Sequence, residues 1–196
     1  MTMTDEVAVV DGPRLNLGCG TDYKVGWVNI DNNSDHNIAR LDLNWDLTNP
    51  LPFADASVAY VYNEHLIEHL SVDQSRRAIS DFLRVLRPDG ILRIAMPDVR
   101  TAIDKYLHVA LEDDETMQRF DMGFIQTRAE RLNMAFRWWG HQWLYDWEEL
   151  KRRLLEVGCP PSSIRQCSRG ESRCPALRHL ETRTESVLVA EATKWR

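Results

Sequence analysis

With 196 residues, 43% of them hydrophobic, the chain is long enough to bury one substantial core and short for two, so one domain over 1–196 is expected. A formal charge of −6 and a pI near 5.5 argue against the large phosphate-binding face that a nucleic-acid partner requires. No run of 18 apolar residues occurs, residues 1–11 lack the basic and apolar regions of a secretory leader, and the four cysteines form no C-x-x-C pair. These features predict a cytoplasmic protein with reduced thiols and no membrane insertion.

In chain order, an apolar run containing Leu15 and Leu17 breaks into Gly18-Cys19-Gly20, and a second run from Trp27 to Ile30 ends on Asp31. This predicts a buried strand, a tight turn and a second strand with a carboxylate at its tip. Nucleosides are held this way, with glycines admitting the ligand to the backbone and the acid taking the ribose hydroxyls. A dinucleotide fingerprint would need a third glycine where Tyr23 stands, and two glycines alone read equally as a turn.

A short strand near Ile38 to Leu43 is expected next, leading to Asp46-Leu47 and the proline-stiffened loop Leu51 to Ser57. The run Val58 to Asn63 is apolar on both faces, as parallel strands under cover are, and it empties into Asn63-Glu64-His65-Leu66-Ile67-Glu68-His69. Ser71 and Gln74 spell a capping box, and Ile79, Phe82, Leu83 and Leu86 follow at helical spacing until Pro88-Asp89-Gly90. Ile91 to Met96 reads as the next buried strand, closed by Pro97-Asp98. The alternation predicts an α/β fold, a doubly wound and mostly parallel sheet with right-handed crossovers. Ligands bind beyond the carboxyl ends of such strands, where Gly18, Asp31, Asn63 and Asp98 fall.

A helix from Val99 carrying Ile103, Tyr106, Leu107 and Ala110 leads into Glu112 to Glu115, which reads as a solvated face. Residues 116–140 hold Met117, Phe120, Met122, Phe124, Met134, Phe136, Trp138 and Trp139, a pattern of core that also suits a lid or a homodimer contact. Asp146 and Glu149 spell a second capping box for a helix burying Trp147, Leu150, Leu154 and Val157 up to Gly158, which leaves His141 in the loop ahead of it. Strands near Ile164 to Cys167 and Ser186 to Ala192 close the chain. The long connection between them carries Arg169, Arg173, Arg178 and Arg183, which suit a phosphate or carboxylate as well as plain charge balance.

In this order, LNLGCG, Asp31, Asp46-Leu47 with LPFADAS, and LRVLRPDGILRIAMPD resemble the class I S-adenosylmethionine-dependent methyltransferases over most of the chain. More narrowly, NEHLIEHL, HQWLYDWEEL and SRCPALRHLETRTESVLVAEA are similar to a branch of small methyltransferases of sugar and polysaccharide biosynthesis, in which the first crossover helix is cut short. The resemblance implies a Rossmann-like seven-stranded sheet, with core segments 14–98 and 141–192 and a helical insertion of about 99–140 after the fifth strand. It implies S-adenosylmethionine as cofactor, contacted by Asn16, Gly18, Cys19, Gly20, Asp31, Asn32, Asp46, Leu47 and Asn63. The absent third glycine is a departure that bears on the methionine contacts.

The implied reaction is an in-line methyl displacement in which the protein supplies position, exclusion of water and proton removal. His141, Glu64 and His65 are the candidate bases for a hydroxyl acceptor. His65 to His69 also spells H-x-x-E-H, but a zinc hydrolase needs that motif on a helix and here it follows a strand. In some ubiquinone-pathway methyltransferases a similar cluster binds a divalent ion. By that resemblance His65, Glu68 and His69 would hold magnesium beside a sugar hydroxyl, against the plainer role of capping local backbone. No N/D-P-P-Y/F follows the fourth strand, so the resemblance does not extend to nucleobase N-methyltransferases. Trp138, Trp139, Trp143, Trp147 and Tyr145 offer flat faces to a sugar, or core. The expected function is methyl transfer to a hydroxyl of a sugar or oligosaccharide, at its narrowest a methylmannose precursor. A carboxyl or phosphonate O-methyltransferase and a noncatalytic cofactor-binding partner subunit are the alternatives.

Overall fold

The computed structural model describes residues 7, 9–32 and 38–195. Arg14–Leu17 (β1), Val28–Asp31 (β2), Leu43–Asn44 (β3), Val58–Glu64 (β4), Leu86–Met96 (β5), Ile164–Cys167 (β6) and Leu188–Thr193 (β7) form one sheet. Its order is β3-β2-β1-β4-β5-β7-β6, with β7 antiparallel to both of its neighbours. Strand order reverses between β1 and β4, and the crevice beyond the carboxyl ends opens at that switch point. This is the Rossmann-like methyltransferase fold.

Two helices cover one face. Val72–Val85 (α1) buries Ile79, Phe82 and Leu83, and Trp147–Glu156 (α5) buries Leu150 and Leu154, all against Leu15, Leu17, Val61, Leu92 and Ile94 of the sheet. The other face, with Tyr60, Tyr62, Ile91 and Ala95, is roofed by irregular chain that brings Trp27, Cys174 and Leu177 down onto it. Arg93 is fully buried on that face of β5, donating to Glu181 Oε1 and Glu191 Oε1 at 2.6 Å each and to the Glu171 carbonyl at 2.9 Å. These bonds fasten the 168–187 connection to the sheet. All four cysteines are buried and free, and among the described residues no helix is long and apolar enough to cross a membrane.

After β5 come Val99–His108 (α2), Glu115–Arg119 (α3) and Arg128–Arg137 (α4). Met117, Met122 and Met134 form a small core of their own. Asp114, expected among the solvated acids, is instead buried, because Lys105 and Arg131 converge on it at 3.1 and 3.0 Å. No residue of α2 is buried, and Leu107, Phe120, Phe124, Trp138 and Trp139 are exposed.

Several element boundaries differ from the sequence reading. The strand expected at 38–43 is only Leu43–Asn44. Asp42 N still donates to the Asn29 carbonyl at 3.0 Å, but the Asn29 N–H goes to the Asp42 carboxylate at 2.8 Å and not to a backbone carbonyl. The Ser71–Gln74 capping box is present, but α1 ends at Val85, and Leu86, expected in the helix, begins β5, which runs on through Pro88-Asp89-Gly90. Asp146 caps the Glu149 N–H, yet Glu149 does not reciprocate, because Trp143, Arg152 and Arg153 hold its carboxylate. The complete second box is Thr127 with Glu130. The last strand starts at Leu188, since Ser186 is bonded to Glu64.

Candidate active site

The glycine turn is shaped from below. Gly18 and Cys19 donate to the Ile30 carbonyl at 2.9 and 3.3 Å, folding the chain back over β2. Gly18 has φ +65°, and a Cβ there would press on Leu66 at 3.1 Å, so packing of the protein itself demands the glycine. At Gly20, with φ +51°, a Cβ would meet only Arg183 Nη2, at an ordinary contact distance of 3.9 Å. Ligand approach is therefore available at Gly20.

Asp31, at the tip of β2, accepts from Gly20 N and Asn32 N at 2.7 Å each. Two bonds leave about half of a carboxylate's acceptor sites for vicinal hydroxyls. Asp46 forms a local turn by accepting from Thr48 N and Oγ1 at 2.9 and 2.7 Å, and Leu47 is buried beside it. Asn16 lies elsewhere than expected: buried, it donates to the Asp22 carbonyl and Asn29 Oδ1, both at 2.9 Å, and so braces the turn from beneath. Burial first, and then Asp31, pushes the Cys19 thiol up to about 12, so it stays protonated. Asn63, opposite Leu17 at the end of β4, is fully buried with neither amide atom paired, a polar demand under the crevice. Gly20, Asp31 and Asn63 fit an adenosine-type cofactor.

At the end of β4 and just past it, two buried glutamates have opposite surroundings. Glu64 accepts from Ser186 Oγ at 2.5 Å, Thr182 Oγ1 and Arg183 N at 2.9 Å, and Thr182 N at 3.1 Å. Burial works against its charge, but these bonds outweigh it and hold the carboxyl below its ordinary range. Glu64 is thus an anchor for the 168–187 connection and a poor base, against its expected role. Glu68 has neither oxygen paired, and burial pushes it up to about 8.

His65, at φ +55°, lays Nε2 against Ser186 Oγ at 3.1 Å, with Nδ1 3.7 Å from Glu68. Burial, with the Arg183 charge behind it, pushes His65 down to about 3, too low for an effective base. Residues 67–69 form a single 3-10 turn and His65 precedes it, so H-x-x-E-H lacks the helix a zincin needs.

The sequence could not show what lies against that turn. Gln142 N and Trp143 N donate to the Glu68 carbonyl at 2.8 and 3.2 Å, and Gln142 Nε2 to the His69 carbonyl at 2.8 Å. This pins the 141–143 loop so that Glu68, His69 and His141 bring side-chain ligand atoms within 4.8 Å of one another. His141 therefore takes the place expected for His65 in the cluster. A carbonyl only accepts, so His141 Nδ1 is the protonated nitrogen in its 2.7 Å bond to Ala135 O, and Nε2 keeps its lone pair. Burial lowers the His141 pKa. The Trp139 ring, 45% exposed, lies 5.9 Å from the His141 ring.

Residues 15–94, from β1 nearly to the end of β5, match the family model described as a methyltransferase domain. No curated protein matches the chain. Among solved structures, the chain is similar to a SAM-dependent methyltransferase of Archaeoglobus fulgidus, with 14% identity, a TM-score of 0.55, and 93% of this chain and 87% of that one covered. It is similar to a Thermotoga maritima SAM-dependent methyltransferase described as a possible histamine N-methyltransferase, with 15% identity, TM-score 0.52 and coverage of 94% and 83%. It is also similar to the CurJ carbon methyltransferase, with 14% identity, TM-score 0.51 and coverage of 94% and 49%. At these identities the likeness is one of fold, and the named acceptor atoms, nitrogen and carbon, belong to those proteins.

Proposed function

We propose that the chain is an S-adenosylmethionine-dependent methyltransferase whose acceptor is a hydroxyl of a sugar or oligosaccharide. The family match and the Gly20–Asp31 geometry support the donor. The observation that carries the acceptor is His141, whose protonated Nδ1 is tied to Ala135 while Nε2 stays unprotonated, in a ring centred 5.9 Å from that of the exposed Trp139. A hydroxyl must lose its proton as its oxygen is methylated, and a neutral imidazole beside a flat aromatic face suits a sugar ring. The resemblance of the three motif segments is what narrows the acceptor toward a methylmannose precursor.

The cofactor supplies a methyl group on a sulfonium, already a good leaving group. Asp31 takes the ribose hydroxyls and Gly20 lets the ligand meet the backbone. His141 Nε2 takes the hydroxyl proton while Trp139 sets the ring. Orientation of this kind contributes on the order of 7–11 kcal/mol in well-aligned intramolecular reactions.

Glu68 gives the cluster a second reading. Its two unpaired oxygens beside two imidazoles fit a divalent cation. This donor set suits zinc or manganese better than magnesium, which prefers oxygen ligands. Glu68, His69 and His141 would be the ligands, and an ion there would polarise the acceptor hydroxyl as a Lewis acid.

Calorimetry with S-adenosylmethionine, followed by turnover on mannosides, carboxylic acids and phosphonates, tests the proposal. Donor binding with methylation of a mannoside is expected, whereas turnover confined to carboxylates or phosphonates overturns the acceptor. Full activity in EDTA selects His141 as base, and loss restored by manganese or zinc selects the cation.

A further inference from the structure

Arg183 stands where the glycine turn meets the end of β4, and its main chain is fixed on both sides. Its N–H donates to Glu64 Oε1 at 2.9 Å, and its carbonyl accepts from Arg169 Nε at 3.0 Å. Its guanidinium reaches Gly20, with Nη2 3.9 Å from the point a Cβ there would occupy.

Of the acids nearby, Glu68 feels the Arg183 charge but makes no ion pair with it, and the others are engaged. Glu64 is filled by Thr182, Ser186 and the Arg183 N–H. Glu185 lies 3.7 Å from Arg119, and Glu181 is held by Arg93 at 2.6 Å. Among the described residues the Arg183 guanidinium has no hydrogen-bond or ion-pair partner. A cation with a fixed backbone and no partner, in a chain of net charge −6, is placed to meet an anion.

We propose that Arg183 binds the α-carboxylate of the cofactor's methionine moiety, an inference that rests on the methyltransferase reading above. Asp31 marks the ribose position on the β2 side of the glycine turn, and Arg183 lies across that turn on the β4 side. A donor lying over Gly20 presents its amino-acid end to Arg183. The carboxylate is the one anionic group of that donor, and a guanidinium matches a carboxylate with two parallel hydrogen bonds.

Calorimetry with S-adenosylhomocysteine and its decarboxylated analogue, which keeps the adenosine, thioether and amine, reads this contact in the wild type, R183Q and R183K. The wild type is expected to bind the analogue about 10- to 100-fold more weakly, the range for hydrogen bonds to charged groups. R183Q should lose a similar factor for S-adenosylhomocysteine and little more for the analogue, and R183K should recover part of it. Because residue 183 meets Glu64 through its backbone, thermal melts of both variants should match the wild type. An analogue penalty that persists in R183Q overturns the proposal. So does intact donor affinity with a raised KM for an anionic acceptor, which moves the anion to the acceptor. Equal wild-type binding of both ligands removes the Arg183 contact alone, whereas binding of neither removes the methyltransferase reading and this proposal with it.

Discussion

On the β2 side of the crevice the polar groups are paired before any ligand arrives: Asp31 holds Gly20 and Asn32, and Asn16 holds Asn29 and the Asp22 carbonyl. On the β4 side the Glu68 carboxyl has no hydrogen bond, and His141 reaches it from a distant loop. Glu64 and Glu68 condense the contrast into one short stretch, the first filled with donors and held low, the second empty and pushed up to about 8. A group already satisfied by protein fixes geometry, whereas a buried group left unsatisfied is available to exchange a proton or hold a ligand. In this chain the β2 side of the crevice is frame, and the unsatisfied groups that the proposed chemistry needs gather on the β4 side.

His141→Ala should sharpen that contrast most. Turnover is expected to fall by about 10²- to 10⁴-fold, the usual contribution of a positioned base, while calorimetry returns an unchanged S-adenosylhomocysteine affinity. A loss of donor affinity there would erase the distinction between the two sides. Asp31→Ala should do the reverse, weakening donor binding about 10- to 100-fold with a smaller change in kcat at saturation.

The glutamates separate by stability. Glu64→Ala leaves buried donors from Ser186, Thr182 and Arg183 unpaired and should cost roughly 3 kcal/mol in denaturant melts. Glu68→Gln, replacing an unpaired carboxyl, should stay within about 1 kcal/mol of wild type at pH 7. Similar costs for both would break the comparison. The Glu64 carboxyl is held below its ordinary value of 4.5, so its contribution is present above pH 4.5 and is lost as pH falls through the lowered value. Acid melts should show that slope in the wild type and a flatter one in Glu64→Gln. The smallest effect belongs to Trp139→Ala, with KM for a mannoside raised about 2- to 10-fold and kcat little changed.

Much of the β2 side of the crevice is legible in the sequence because it is local. Leu15, Leu17, the glycines and Asp31 lie within one strand-turn-strand unit, and apolar runs broken by glycine report such units directly. Ser71 with Gln74 is local in the same way. Arg93 is only half a signal: a charged residue inside an apolar strand requires buried partners, although nothing in the chain order names Glu181 and Glu191 as those partners. Asp114 departs from its expected solvated place for a related reason, since a run of acids gives no sign of which member meets Lys105 and Arg131.

The sequence by itself determined the strand and helix order, the crevice at the switch point, and the acid and glycines beside it, because hydrophobic period and turn chemistry act over a few residues. Only the tertiary structure decided that Glu64 anchors a loop, that His141 replaces His65 beside Glu68 and His69, and that Arg183 reaches Gly20. Those outcomes depend on which distant donor lands on which buried acceptor. That pairing is set when the 141–143 and 168–187 segments pack against the end of β4, and no local pattern encodes it.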